Sequence, residues 1–149
     1  MATKSAPSTA TVPAPRINRI RMASLGALTM LIIQFILGTA YAIYGTAPAS
    51  GKPIGMFSSP LLALHVVMGI LLIIAAVMLV VRAVQARITP FIVTSVIGLL
   101  AVLGAFGAGS AFAGSGGDGA SLGMALLTAV AMLAYATSLV IAGKPRADG

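Results

Sequence analysis

Residues 61–81 read LLALHVVMGILLIIAAVMLVV, a run in which His65 is the one polar side chain. A run of this length is about the ~20 residues a helix needs to cross the hydrocarbon core of a bilayer. It is continuous rather than alternating, which argues for a helix and against a barrel strand. Three further runs have the same character, at 23–44, 89–113 and 121–143. Lipid offers no partners for backbone polar groups, so a spanning segment must satisfy them within itself. The sequence therefore predicts an all-α, four-transmembrane-helix bundle. Residues 1–18 form an N-terminal tail and 19–149 the membrane domain.

Composition and charge agree. Charged residues are 7% of the 149, against about a quarter in soluble domains, so the chain reads as one membrane domain. The net charge of +7 suggests nucleic acid at first sight, but its distribution excludes that reading. Lys4, Arg16, Arg19 and Arg21 precede the first helix, Arg82 and Arg87 separate the second from the third, and Lys144 and Arg146 follow the fourth. Only Lys52 falls on the other side. The positive-inside rule makes the basic side cytoplasmic, with both termini inside a bacterial cytoplasmic membrane. There the basic residues set topology and meet lipid headgroups. With no cysteine in the chain, thiolate metal sites, iron–sulfur clusters and cysteine nucleophiles are ruled out. There is no Trp either, so an aromatic belt must come from Tyr41, Tyr44, Phe57 and Phe91.

The connections carry their own signals. The Pro-, Ala- and Thr-rich tail lacks apolar periodicity and is expected to be disordered, or ordered against a partner. Ser58 or Ser59 ahead of Pro60 suits the cap and first turn of the second helix, and Thr89-Pro90 opens the third. The loop GSGGDGA at 114–120 reads as a solvated turn, since Asp118 alone supplies too few ligands for calcium.

Helices in lipid associate through small residues that let backbones approach. The third helix carries Ala101, Ala105, Gly109 and Ala113 at a spacing of four, with Gly104 and Ala108 as a second stripe. The first helix adds Gly38 and Ala42. These residues pack the bundle or dock another protein, and Gly104→Leu or Ala105→Leu is expected to disrupt that packing.

No Asp, Glu, Lys or Arg lies within any run. That argues against a proton pump, a voltage sensor or a charge-relay transporter, and it removes the acid–base pairs most membrane enzymes use. Gln34 and His65 are the two intramembrane polar residues that stand out. A buried amide in lipid needs a partner, so Gln34 is expected to bond a neighbouring helix. His65 either bonds a neighbouring helix or ligates iron. Tyr41, His65, Ser110 and Met124 each lie about four or five residues from their outer helix ends, so at ~1.5 Å per residue they share one layer. His65 and Met124 are thus candidate haem ligands, a known iron pair, with Gly69, Gly107 and Ala108 making room for the macrocycle.

The strings QFILG (34–38) and HVVMG (65–69), in this four-helix layout, resemble one half of the haem A synthase family, and also small four-helix bacterial membrane proteins with a histidine at the start of helix two. The resemblance implies a b-type haem held by histidines near outer helix ends, and His65 alone carries over. The fourth helix has no histidine to supply the second ligand.

Three functions follow as expectations. The first is a non-catalytic accessory subunit of a larger respiratory or photosynthetic membrane complex. The second is a small haem b protein for electron transfer or haem handling. The third is a binder of an apolar small molecule such as quinone, pigment or lipid. The accessory reading predicts no pigment of the chain's own and assembly retained in His65→Ala. A reduced-minus-oxidised absorption spectrum of the gently purified protein checks it: a stoichiometric haem b band lost in His65→Ala is the contrary result.

Overall fold

The computed structural model describes residues 14–46, 48 and 52–143. Lys4, Lys144, Arg146 and most of the predicted tail lie outside them. Four helices follow one another: α1 (Ala14–Tyr44), α2 (Pro60–Ala86), α3 (Thr89–Ser115) and α4 (Asp118–Gly143). All four are long and apolar enough to cross a membrane. Each packs on its chain neighbours, α4 closes the ring on α1, and helices across the ring do not meet. The α1–α2 and α3–α4 connections share one end, the loop end. The α2–α3 turn and the outer bounds of α1 and α4 share the other, the terminal end.

Helix limits follow local chemistry. Ser59 caps α2, its Oγ accepting from the Leu62 backbone N–H at 3.2 Å, with Pro60 in the first turn, where its missing N–H costs nothing. Pro likewise sits in the first turn of α3. Three limits differ from the expected ones. α1 begins at Ala14 rather than near 23, because Ile17 and Ile20 continue the apolar face below the arginines, and Ile20 is buried. α2 runs on past Val81 to Ala86, with Arg87 in the left-handed conformation ending it. α4 begins at Asp118, so the expected loop shrinks to Gly116 and Gly117. The carboxylate there lies in the first turn, where the helix dipole favours it.

The core is a seam with alternating steps of three and four residues. α2 contributes Gly69, Leu72, Ala76, Leu79, Ala83 and Ala86. α1 contributes Ile20, Ser24, Ala27 and Leu31. From α3 come Phe91, Thr94, Gly98 and Ala101, and from α4 Thr128, Ala131, Tyr135 and Ser138. This 3.5-residue period is that of left-handed coils with shallow crossing angles. Phe91 belongs to the seam at 2% exposure, so it is not part of an aromatic belt.

The seam occupies the terminal half of the bundle. On α1 nothing beyond Leu31 is buried, on α3 nothing beyond Val102, and on α4 nothing before Thr128. The buried hydroxyls belong to this packed half. Thr94 Oγ1 and Ser138 Oγ share a hydrogen bond of 2.6 Å between α3 and α4. Ser24, Ser95 and Tyr135 bury hydroxyls that meet no partner among the described residues. Tyr135, fully buried, packs its ring against Gly98, where a Cβ would overlap it.

Gly98 is therefore a packing requirement, whereas Gly26 has open space about its Cα. Gly98→Ala should lower stability by the ~1–3 kcal/mol typical of overpacking, and Tyr135→Leu in the same chain should recover most of it. Gly26→Ala should gain up to ~1 kcal/mol from helix propensity. Thermal unfolding in detergent of the three variants measures all of these.

Candidate functional site

Above the seam the helices enclose a cavity of about 320 Å³, near the lower end of the ~300–1,000 Å³ range of ligand pockets. Leu31, Leu72 and Val102 form its floor, and Ile54 and Met56 of the α1–α2 loop reach its upper wall. That loop is fixed across the end of α3: the Ile54 N–H donates to the Ala113 carbonyl at 2.9 Å. Pro48 presses on Gly116, whose φ of +69° and close approach to the Pro48 carbonyl both require glycine. No lining residue is Asp, Glu, Lys or Arg.

The polar wall of the cavity is an interlock between α1 and α2. Gln34 Nε2 lies 3.1 Å from His65 Nε2 and donates to the His65 carbonyl at 2.9 Å. The carbonyl is an obligate acceptor, so the amide nitrogen faces it, and His65 Nε2 then accepts the second amide hydrogen. The imidazole is neutral, with its proton on Nδ1. Among the described residues Nδ1 is buried without a hydrogen-bond partner. Gln34 Oε1 is buried without a partner.

Two glycines make this contact fit. A Cβ on Gly38 would stand 3.0 Å from His65 Cε1, and a Cβ on Gly69 would stand 3.2 Å from Gln34 Nε2. The strings QFILG and HVVMG are each polar-x-x-x-Gly. In the antiparallel pair the polar residue of each sits on the glycine of the other.

Tyr41, His65, Ser110 and Met124 all line this one cavity, with Gly69. The imidazole, however, is not offered to an iron. Its Nε2 is engaged by Gln34 and its Nδ1 is covered, and Met124 Sδ rests beside Gly109 on α3 (3.2 Å from a Cβ placed there). These residues as arranged do not fit a haem. Gly107 makes no room, since it points out of the bundle with open space about it, and Ala108 meets Gly123 of α4. The two small stripes of α3 have different surroundings. A Cβ on Gly104 would stand 3.0 Å from Leu127 of α4, as packing requires, and Ala101 is in the core. Ala105, Gly109 and Ala113 line the cavity, so Ala105→Leu meets space there rather than a helix. Tyr41 donates to the Thr46 carbonyl at 2.9 Å and so ties the start of the loop to α1. Among the described residues no three His, Cys, Asp or Glu side chains gather as a metal site.

The Gln34–His65 pair should couple in a double-mutant cycle. Gln34→Leu and His65→Ala are each expected to destabilise the bundle, with a coupling energy of about 0.6–1.7 kcal/mol, the range for interhelical hydrogen bonds in membranes. Gly38→Ala should be destabilising in the native chain and neutral with His65→Ala, because the imidazole it would strike is gone. Equilibrium unfolding in mixed micelles reads both.

Comparison of the chain with protein-family models, curated proteins and solved structures finds no match in any of the three.

Proposed function

We propose that this chain is a small, non-catalytic multi-pass membrane protein that holds a neutral apolar molecule in the cavity of its loop half. The observation that carries the reading is the cavity: about 320 Å³, apolar apart from the Gln34–His65 wall and scattered hydroxyls, and closed below by Leu31, Leu72 and Val102. Well-packed bundles leave few voids larger than a water molecule. A space of this size, walled by apolar side chains with a few convergent polar groups, has the character of a binding site. The interlocked imidazole serves as a wall rather than as a reacting group, and no Asp, Glu, Lys or Arg in the lining joins it as an acid–base partner.

Insertion with both termini cytoplasmic is part of this proposal and rests on the basic residues at the terminal end. Arg16, Arg19, Arg21, Arg82 and Arg87 all belong to that end, whereas the loop end has Lys52. The cavity then lies in the outer leaflet half of a bacterial cytoplasmic membrane.

A second reading keeps an observation of its own. The outward face of α3 carries Gly107, Ala111 and Gly114 at i, i+4 and i+7, all exposed. Small residues at this spacing allow another helix to approach closely, which suits an accessory subunit of a larger membrane complex or self-association. The two readings are compatible, since that face points away from the cavity.

The test is extraction. The protein purified in mild detergent should release an apolar molecule in stoichiometric amount on organic extraction, identified by mass spectrometry. Ala105→Leu, which fills part of the cavity, should keep the fold and lose most of that molecule. A native chain that releases none contradicts the proposal.

A further inference from the structure

We infer that the cavity is filled sideways from the bilayer, through a cleft between the loop halves of α1 and α4, and that its occupant is a hydrocarbon chain of a membrane lipid. The inference rests on the proposed binding role and names the occupant and its route.

The walls of the cavity differ in how they are closed. Below, Leu31, Leu72 and Val102 are each under 5% exposed and seal the floor. Above, the α1–α2 loop is held to α3 by the Ile54–Ala113 hydrogen bond. Between α1 and α2 the Gln34–His65 interlock joins the helices. Between α2 and α3, Phe106 reaches across to Gly69, 3.8 Å from a Cβ placed there. Between α3 and α4, Gly104 packs on Leu127 and Ala108 on Gly123. Phe106 and Met56 are themselves partly open to the surroundings, but the other exposed lining residues lie on α1, with one on α4. Phe35, Thr39 and Ala42 follow one another at i, i+4 and i+7 on α1, and Ala125 is on α4. All four both line the cavity and lie open to the surroundings. On α1 this stripe is rotated away from Gln34 and Gly38, the residues that meet α2. A stripe of three residues on α1 that are at once cavity wall and outer surface, with Ala125 on α4, is where we place the opening.

The position of the opening selects the occupant. At this depth, below the loop and within the apolar length of α1 and α4, the surroundings of a membrane-inserted bundle are lipid tails rather than water. Whatever passes through comes from that medium. The lining has no cation to hold a phosphate and no carboxylate to hold an amine. Side chains of Leu, Val, Phe and Met accept a flexible hydrocarbon without a hydrogen-bonding requirement. A narrow cavity with a lateral mouth admits one chain while the headgroup stays outside.

Photolabelling tests this. The full chain is reconstituted in vesicles of phosphatidylcholine carrying a diazirine near the end of one acyl chain, irradiated and mapped by peptide mass spectrometry. Labels are expected on Leu31, Leu72 or Val102, which the folded bundle hides from surrounding lipid, besides those on the exposed Leu133 and Val140. Ala125→Trp and, independently, Thr39→Trp should narrow the cleft. Each should lower floor labelling by about tenfold, equivalent to ~1.4 kcal/mol of occupancy, with Leu133 and Val140 labelled as before. A floor that stays unlabelled while Leu133 is labelled overturns the inference, as does floor labelling that neither tryptophan reduces. If the floor is unlabelled but organic extraction still yields a stoichiometric apolar molecule, only the lipid-chain inference falls. If extraction yields nothing as well, the binding role falls with it.

Discussion

The constraint on which the site depends is the reciprocal fit of Gln34 on Gly69 and His65 on Gly38. Above the seam, α1 has no buried residue of its own, so dispersion and burial do little to hold it there. The interlock replaces them with two charge-neutral hydrogen bonds from one amide. Polar groups buried in an apolar medium are costly when unpaired, so the contact fixes the rotation and height of α1 against α2 as well as their proximity. A slide of one turn would leave the amide, the imidazole and the His65 carbonyl contact unmatched together. With α1 set on α2, its other flank is free to stand off α4.

The bundle is thus two structures in series. The terminal half is a four-stranded coil with small and hydroxyl residues in its seam, closed by Tyr135 on Gly98. The loop half keeps the ring of helices and leaves its centre empty, with the loop pinned over it by Ile54 and Gly116. The apolar layer of Ala27, Leu31, Leu72, Ala76, Ala101, Val102 and Ala131 separates the buried hydroxyls of Ser24, Thr94, Ser95, Tyr135 and Ser138 from the imidazole and amide of the other half. That separation is the opposite of what a polar conduction path needs and suits a pocket with a floor.

How much of this is legible in the sequence depends on which kind of information each feature needs. The four helices are legible because apolar run length alone encodes them. That Tyr41, His65, Ser110 and Met124 come together at one cavity is legible in part, because position along a helix follows from counting residues at a fixed rise. Facing is less so, since it depends on how each helix is rotated. Gly104 and Ala105 are adjacent and alike in size, yet one meets Leu127 and the other the cavity. Gln34 is expected to bond a neighbouring helix, and it does. That its partner is His65, and that the second polar residue thereby loses its free nitrogen, requires both helices together. Gly98 and Tyr135 are missed because neither stands out by charge or repeat, and Gly98 is one of five glycines on α3. The start of α1 is missed because Arg16, Arg19 and Arg21 interrupt hydropathy while Ile17 and Ile20 keep the helical period.

The central claim, that His65 is a neutral wall residue held by Gln34, has a direct measurement because the chain contains a single histidine. Nitrogen-15 NMR of the histidine-labelled protein in lipid nanodiscs reads the protonation of each ring nitrogen without assignment ambiguity. The account predicts one neutral tautomer, protonated at Nδ1, with Nε2 an acceptor coupled to the Gln34 side-chain amide and that coupling lost in Gln34→Leu. An Nε2-protonated ring, a doubly protonated ring, or a signal indifferent to Gln34→Leu would contradict it.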